Sequence, residues 1–159
     1  MNFRTTDLLD DHPDLEACEA GLGHYGGLRR FSGPAVTVKC FEDNSLAREL
    51  LKTPGGGRVL VIDGGGSRRC ALVGDLLAAA GQSNGWAGIV VAGCVRDSVV
   101  LSTLAIGVMA LGIQPRRSEK HGQGVQGIAI DVLGARVRPG DWVYADEDGV
   151  VVSARSLSD

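Results

Sequence analysis

Aromatic side chains are scarce in this chain, where Phe, Trp and Tyr together make up 4% of 159 residues. Long apolar runs are absent as well, and none approaches the length that a membrane-spanning helix needs. The first residues of the chain lack the apolar core of a signal peptide. We therefore expect a cytoplasmic protein with no membrane partner.

Closely spaced cysteines are also missing. The four cysteines lie more than twenty residues apart, and no Cys-x-x-Cys pair occurs. This spacing argues against a zinc site and predicts reduced, mostly buried thiols.

Positive charge is neither abundant nor clustered. The formal net charge is −3, and the lysines and arginines are scattered along the chain. Arg116, Arg117 and Lys120 come closest to a basic cluster, and we interpret them as a solvated turn. The sequence therefore offers no electrostatic case for direct nucleic-acid binding.

Glycine is what the chain has in excess, with 24 residues, about twice the ordinary share. Such a content indicates many tight turns and places where backbone, rather than side chain, meets a ligand. The length suits one compact domain with a substantial core, which we take as residues 1–159.

The pattern of apolar residues predicts that strands and helices alternate in the first part of the chain. It predicts mainly strands in the carboxyl-terminal part. An amino-terminal helical run at 7–18 is interrupted by Pro13, and Asn44 is a suitable N-cap for the next helix. Predicted strands are 35–40, 58–63, 88–93, 108–113 and 125–132, predicted helices are 45–52, 76–83 and about 98–104, and a hairpin joins 142–145 to 149–152. We expect one layered α/β domain with a mixed sheet.

The segment Gly93-Cys94-Val95-Arg96-Asp97 follows an apolar run that reads as a buried strand. Arg96 and Asp97 would emerge at its carboxyl end, where open α/β sheets hold ligands. Arginine offers a forked cation for a carboxylate, and aspartate offers an oxygen ligand for Mg²⁺. The pattern predicts metal-assisted chemistry on a small anion; the alternative is a strand-end ion pair, with Asp97 capping a helix at Ser98.

A second candidate is Gly74-Asp75-Leu76-Leu77, which opens a predicted helix. The first free backbone amides of a helix attract anions, so a substrate carboxylate could bind the amides around Leu76 and Leu77, opposite Arg96. The alternative is a capped helix with Asp75 as its N-cap.

Two further patterns are weaker. Residues 122–127 match Gly-x-Gly-x-x-Gly, but a β pattern follows them instead of a helix, which favours a loop over a dinucleotide site. Glu42 and Asp43 follow a strand and could assist as acids, although we favour a surface turn there.

Several segments in order carry a resemblance that extends over almost the whole chain. They are Phe41-Glu42-Asp43-Asn44, Arg58-Val59-Leu60-Val61-Ile62-Asp63-Gly64-Gly65-Gly66-Ser67, Gly74-Asp75-Leu76-Leu77, Gly85-Trp86-Ala87-Gly88, Gly93-Cys94-Val95-Arg96-Asp97 and Tyr144-Ala145-Asp146. Through them the chain resembles the regulator of ribonuclease E activity A and its relatives, the class II 4-hydroxy-4-methyl-2-oxoglutarate aldolases. The resemblance implies a swivelling β/β/α-type fold, a homotrimer with sites at subunit interfaces, and an aldolase that depends on Mg²⁺ or Mn²⁺ and also decarboxylates oxaloacetate.

The resemblance also implies roles for individual residues. The amides of Gly74, Asp75, Leu76 and Leu77 would bind the carboxylate of a small 2-oxo acid, Arg96 would bind substrate, and Asp97 would bind the metal and share the catalytic work with Arg96. Members that act only as ribonuclease regulators typically lack this aspartate. We therefore predict an aldolase; the alternatives are a non-catalytic regulator of ribonuclease E, or a degenerate relative that binds an acid without turnover.

Overall fold

The computed structural model of the chain describes residues 2–157. The helices are α1 (Thr5–Asp11), α2 (Ser45–Leu51), α3 (Asp75–Ser83) and α4 (Ser98–Leu101). The strands are β1 (Glu16–Ala17), β2 (Gly23–His24), β3 (Phe31–Lys39), β4 (Val59–Asp63), β5 (Ala71–Val73), β6 (Gly88–Val95), β7 (Gly107–Ile113), β8 (Val125–Gln126), β9 (Ile130–Val132), β10 (Ala135–Val137), β11 (Trp142–Asp146) and β12 (Gly149–Ser153). Within residues 2–157, no helix has the length and apolar character to cross a bilayer.

A mixed sheet organises the molecule. Its path runs β1-β12-β11-β3-β4-β6-β7-β2, with β5 added beside β6 and β8 beside β3, while β9 and β10 form a separate antiparallel pair. The central strands β3, β4, β6 and β7 are parallel, and β11, β12 and β1 extend the sheet antiparallel. Helices α2, α3 and α4 lie between successive parallel strands along the chain, as parallel pairing requires.

Alternating side chains of β4 divide the core into two layers. Leu60 and Ile62 pack with buried residues of the helices, such as Leu51 and Leu101. Val59 and Val61 face the opposite side, among residues of β9–β12 that include Ile130, Val132, Val143 and Val152. The parallel part of the sheet therefore has helices on one face and, on the other, the sheet's own antiparallel strands β11 and β12 together with the β9–β10 pair, which confirms the predicted α/β class with its β/β/α layering and mixed sheet.

The predicted elements differ from the observed ones mainly near their ends. The predicted run 7–18 is a shorter helix α1 followed by β1, and β2 lies in a stretch that looked irregular. Helix α4 ends at Leu101 rather than near 104. The predicted strand 125–132 is two strands, β8 and β9, because Gly127 adopts φ +74° between them. No helix follows 122–127, so the loop interpretation of these glycines is confirmed.

Two neighbouring glycines of the central sheet create the space for one aromatic ring. Gly88 and Gly107 are partners on β6 and β7, and a Cβ at either position would collide with the ring of Phe31. Phe31 is 6% exposed and belongs to the β-side core. Shape complementarity therefore fixes small residues at these two positions.

We expect Gly107→Ala to lower the free energy of unfolding by about 3 kcal/mol, because a well-packed core cannot absorb the methyl group without shifting the ring. Urea denaturation measures this difference. The double variant Phe31→Leu with Gly107→Ala should recover part of the loss. Equal losses in the single and double variants would show that the ring is not the obstacle.

Candidate active site

The carboxyl ends of β5 and β6 lie side by side and bring two predicted segments together. These strands are parallel, with Ala71 opposite Cys94, and the Arg96 amide donates to the Val73 carbonyl at 3.0 Å. A cavity of about 400 Å³ opens there. Its lining includes the six residues that the resemblance assigns to the site, Gly74, Asp75, Leu76, Leu77, Arg96 and Asp97, whereas Glu42 and Asp43 do not line it.

Asp97 occupies the turn between β6 and α4 in a left-handed conformation, with φ 59° and ψ 43°. Aspartate tolerates this region better than most residues, and such conformations cluster at functional sites. Its side chain does not cap α4. Instead Oδ2 accepts a hydrogen bond from the Asp75 amide at 3.1 Å and lies 3.9 Å from Arg96 Nε. Asp97 therefore occupies the N-cap position that the alternative interpretation gave it but makes no side-chain capping bond, and its ion pair with Arg96 is present at long range.

The first turn of α3 already holds carboxylates on its free amides. Gly74, not Asp75, is the N-cap, so the predicted capping role of Asp75 is wrong. The Asp75 amide bonds to Asp97, and the Leu76 amide donates to Asp75 Oδ1 at 2.8 Å. Amides in a first helical turn have no partner within the helix, which is why they donate hydrogen bonds to such anions. The helix start thus has the chemistry that a substrate carboxylate requires.

Gly74 leaves no room for a side chain. A Cβ there would lie 2.7 Å from Asp97 Oδ2 and 3.3 Å from Arg96 Cγ. Its backbone is extended, with φ −127°, so the glycine is not needed for its conformational freedom. It is needed because the Asp97 carboxylate fills the space beside it.

The cavity lining also carries positive charge that the sequence analysis did not assign to the site. Arg117 and Lys120, interpreted as a solvated turn, line the cavity together with Arg48 of α2 and Lys52, the residue that follows this helix. All four side chains are exposed to solvent, as the interpretation of a solvated turn expects for Arg117 and Lys120. That interpretation did not include their position in the cavity lining. The four-residue spacing of Arg48 and Lys52 on a predicted helix was the available signal.

Asp43 and Asn44 hold backbone segments that carry residues of the cavity lining. Asp43 is 2% exposed, so the surface turn expected there is wrong for this residue. Its carboxylate accepts hydrogen bonds from the amides of Ser45 at 2.9 Å and His121 at 2.6 Å, which holds the loop that carries Lys120. Asn44 is not a side-chain cap. Its Nδ2 donates to the Leu72 carbonyl at 3.1 Å, and its buried Oδ1 has no partner among residues 2–157.

Burial of Asp43 raises its pKa, but hydrogen bonds from Ser45, His121 and Gln123 outweigh that effect, so the net pKa lies below its ordinary value. A lowered pKa stabilises the fold above the unfolded value near 3.9, and this contribution disappears as the pH falls through the folded value. We expect Asp43→Asn to cost about 2 kcal/mol at pH 7 and much less at pH 3. Urea unfolding at both pH values measures the difference; a pH-independent loss would contradict it.

The donor set suits a hard divalent cation held by few protein ligands. Across residues 2–157, no group of three or more His, Cys, Asp and Glu side chains is placed to enclose a metal. Asp97 and Asp75 nevertheless bring two carboxylates to one end of the cavity. Mg²⁺ accepts one or two carboxylates, with water and substrate oxygens completing its octahedron. The residues present therefore fit Mg²⁺ or Mn²⁺ and do not fit a structural zinc site.

Comparison with known proteins gives consistent results. The RraA-like family profile, described as aldolase/RraA, matches residues 5–152. A Burkholderia multivorans protein, provisionally named 4-hydroxy-4-methyl-2-oxoglutarate aldolase, is 54% identical over 99% of this chain and 100% of its own length. Among solved structures, the RNA-processing inhibitor RraA of Thermus thermophilus has 44% identity and a TM-score of 0.95, covering 99% of this chain and 96% of its own.

A second solved structure matches equally well and has a different name. It is described as an S-adenosylmethionine: 2-dimethylmenaquinone methyltransferase from Geobacillus kaustophilus, with 49% identity, a TM-score of 0.95 and coverage of 98% of this chain and 97% of its own. The names of the relatives thus disagree about activity, while sequence and fold agree about ancestry. The chain belongs to the RraA-like family of aldolase/RraA proteins.

Proposed function

We propose that the chain is a divalent-metal-dependent class II aldolase of the cytoplasm that cleaves 4-hydroxy-4-methyl-2-oxoglutarate to pyruvate and also decarboxylates oxaloacetate. The observation that carries the proposal is the meeting of Arg96, Asp97 and the α3 amino terminus in one cavity. A relative 54% identical over nearly the whole chain has the aldolase name.

Each residue of this cluster has a definite task in the proposed reaction. Asp97 would hold Mg²⁺ or Mn²⁺, which supplies Lewis acidity toward the 2-oxo group when bound. The Leu76 amide, which donates to Asp75 Oδ1 in this structure, would exchange that bond for one to the adjacent carboxylate of the substrate, and together with the Leu77 amide it would fix the orientation of the substrate. Arg96 would donate hydrogen bonds to the 2-oxo oxygen, which gains negative charge as the carbon–carbon bond breaks.

Both reactions break the bond between C3 and C4, and both leave the electron pair of that bond on the enolate of pyruvate. In the aldol cleavage, the 4-hydroxyl loses its proton to water and the second fragment leaves as pyruvate. In the decarboxylation, the second fragment leaves as carbon dioxide. Because the enolate is common to the two reactions, one set of residues can serve both.

Pyruvate release in a coupled assay tests the proposal. The protein is supplied with either substrate, first with Mg²⁺ and then with EDTA. We expect turnover that EDTA abolishes and added Mg²⁺ restores. Folded, metal-loaded protein that releases no pyruvate from either substrate would overturn the aldolase proposal.

Arg96→Lys tests the role of the guanidinium. Lysine keeps the charge but loses the planar fork, so we expect kcat to fall about 100-fold for both substrates, similar to losing one oxyanion donor. Steady-state kinetics measures the fall, and urea unfolding controls for stability. Unchanged kcat with a raised KM would instead limit Arg96 to substrate binding.

We also propose a homotrimer with sites at subunit interfaces. Support comes from two exposed apolar side chains: Leu76, which lines the cavity, is 79% exposed, and Val99, two residues after Asp97, is 81% exposed. Apolar surface of this kind marks association sites in soluble proteins. Light scattering during size-exclusion chromatography measures the mass; a monomer would contradict the proposal.

A second candidate function is non-catalytic regulation of ribonuclease E. The 44% identity to an RNA-processing inhibitor favours it. Asp97 distinguishes the candidates, because a protein regulator does not need a metal ligand beside Arg96. Inhibition of ribonuclease E without pyruvate release would favour regulation.

A further inference from the structure

A second hollow, of about 550 Å³, adjoins the active-site cavity. Among residues 2–157, the linings of the two have only Arg117 and Ser118 in common. We call the second hollow the arginine depression; its other lining residues include Glu42, Arg68, Arg69, Gln114, Arg116 and Glu119. Neither Arg96 nor Asp97 lines it, so the depression is a separate candidate site.

Two pairs of adjacent arginines, far apart in sequence, meet in this depression. One pair begins at Arg68, before β5, and the other begins at Arg116, after β7. Hydrogen bonds join the two segments, because the Ala71 amide donates to the Arg116 carbonyl at 2.7 Å and Gln114 Nε2 donates to the Arg68 carbonyl at 3.1 Å. The fold therefore holds the backbone of both pairs beside one hollow.

Two glutamates also line the depression, and each already has a partner. Both carboxylate oxygens of Glu42 accept hydrogen bonds from Arg69. Glu119 Oε2 lies 3.0 Å from His121 Nε2. Only one of the four arginines is therefore paired with an acid of the lining.

Three guanidinium groups of the depression are left without an acid. In the part of the chain that the structure describes, no ion pair includes Arg68, Arg116 or Arg117, and all three are exposed. Arg68 is nevertheless held in place, because its Nη1 donates to the Leu111 carbonyl at 3.0 Å. Like charges held close together repel, so an anion bound among them is stabilised by all three.

We propose that the arginine depression binds the phosphoryl group of a small molecule. A phosphoryl group has three acceptor oxygens and about two negative charges at neutral pH, which matches three guanidinium groups without an acid. A carboxylate offers only two oxygens and one charge. The planar fork of arginine donates paired hydrogen bonds to such oxygens, which gives the site its preference for phosphate geometry.

Arg117 and Ser118 connect the arginine depression with the active-site cavity, since both residues line both hollows. A phosphoryl group that draws the Arg117 guanidinium to itself withdraws positive charge from the cavity in which an anionic substrate binds. We therefore expect a bound phosphoryl compound to raise KM for 4-hydroxy-4-methyl-2-oxoglutarate without changing kcat. This link to catalysis rests on the proposed function, whereas binding itself does not.

Calorimetric titration of the Mg²⁺-loaded protein with inorganic phosphate tests the site. We expect phosphate to bind about tenfold more tightly than succinate, which carries its two charges on carboxylates. In Arg68→Gln/Arg116→Gln, phosphate binding should weaken about tenfold or more, because two charge-assisted contacts are lost. Glycerol 3-phosphate is the third probe: tighter binding than phosphate identifies a phosphate ester as the ligand, and weaker binding identifies the free ion.

Two further variants control for the location of the anion. Arg29→Gln/Arg155→Gln removes the same charge from exposed positions outside both hollows and should bind phosphate as the wild type does. Equal loss in this control, or unchanged binding in Arg68→Gln/Arg116→Gln, overturns the site. A loss confined to Arg96→Gln would place the anion in the active-site cavity and overturns it as well.

Pyruvate release at a constant concentration of free Mg²⁺, with and without phosphate, separates failure of the site from failure of the proposed function. Arg68 and Arg116 do not line the active-site cavity, so Arg68→Gln/Arg116→Gln should keep the basal kcat and KM and lose the effect of phosphate. A rise in KM that persists in this variant overturns the link to catalysis. Protein whose phosphate binding depends on Arg68 and Arg116 yet releases no pyruvate overturns the aldolase and leaves the site standing.

Discussion

Asp97→Asn should reduce metal-dependent pyruvate release by about a thousandfold or more, a loss of roughly 4 kcal/mol in transition-state stabilisation. The substitution preserves shape and replaces one carboxylate oxygen by an amide group. Asparagine also accepts the left-handed conformation of residue 97, where φ is 59°, so the backbone has no reason to move. What disappears is the negative charge that a divalent cation needs from its protein ligand.

Asp97→Asn should therefore change the activity of the protein and its Mg²⁺ dependence while leaving its stability almost unchanged. We expect the free energy of unfolding to stay within about 1 kcal/mol of the wild type, while the Mg²⁺ concentration for half-maximal activity rises. Wild-type turnover in this variant would show that Asp97 is not a metal ligand. Regulation of ribonuclease E would then be the better-supported function.

The central strands and the part of the cavity formed by Gly74, Arg96 and Asp97 were predictable because their signals are local. Strand β6 is buried along its whole length and is written as one apolar run, and the same holds for most of β4. Arg96 and Asp97 follow β6 directly, so their place at the sheet edge follows from the strand itself. Gly74 is equally close to the end of β5.

The cationic part of the cavity lining, formed by Arg48, Lys52 and Lys120, was not predictable because these residues are distant in sequence. Asp43 is buried by a loop whose amides lie 78 and 80 residues later in the chain. The same loop carries Lys120, which lines the cavity together with Arg48 of α2 and Lys52. Nothing near Lys120 in the sequence indicates which residues lie close to it in the fold. The sequence analysis therefore described the cations as scattered.

The predicted ends of strands and helices were wrong where the pattern of side chains continues across a break in the regular backbone. Residues 125–132 alternate in the manner of a strand, yet Gly127 turns the chain with a positive φ between β8 and β9. Glycine in a strand pattern is the signal for such a break. In α4, the β-branched Val99 and Val100 belong to a helix of a single turn that ends at Leu101.

Gly74→Ala should lower kcat/KM about 100-fold while leaving the protein folded, because a displacement of about 1 Å at a reacting group has an effect of this size. The added Cβ would stand 2.7 Å from Asp97 Oδ2, so the carboxylate must move and its hydrogen bond from the Asp75 amide must lengthen or break. One methyl group would thereby disturb both the metal ligand and the start of α3.

Stability should respond in a different way from activity. The backbone at Gly74 is extended, which alanine adopts freely, and alanine reduces the entropy of the unfolded chain. We therefore expect a change of less than about 1 kcal/mol in the free energy of unfolding. Gly112→Ala is the matched control, since it lies at the end of β7 and its Cβ would meet only the flexible guanidinium of Arg68 at 3.3 Å and Cys94 Sγ at 3.8 Å.

Titration with Mg²⁺ then locates the damage in Gly74→Ala. If the Asp97 carboxylate is the metal ligand, the variant should need about tenfold more Mg²⁺ for half-maximal activity, whereas Gly112→Ala should match the wild type. An unchanged Mg²⁺ requirement with lost activity would shift the importance of Gly74 to the substrate amides. Full activity in Gly74→Ala would mean that the arrangement of Asp97 against α3 is not the catalytic one.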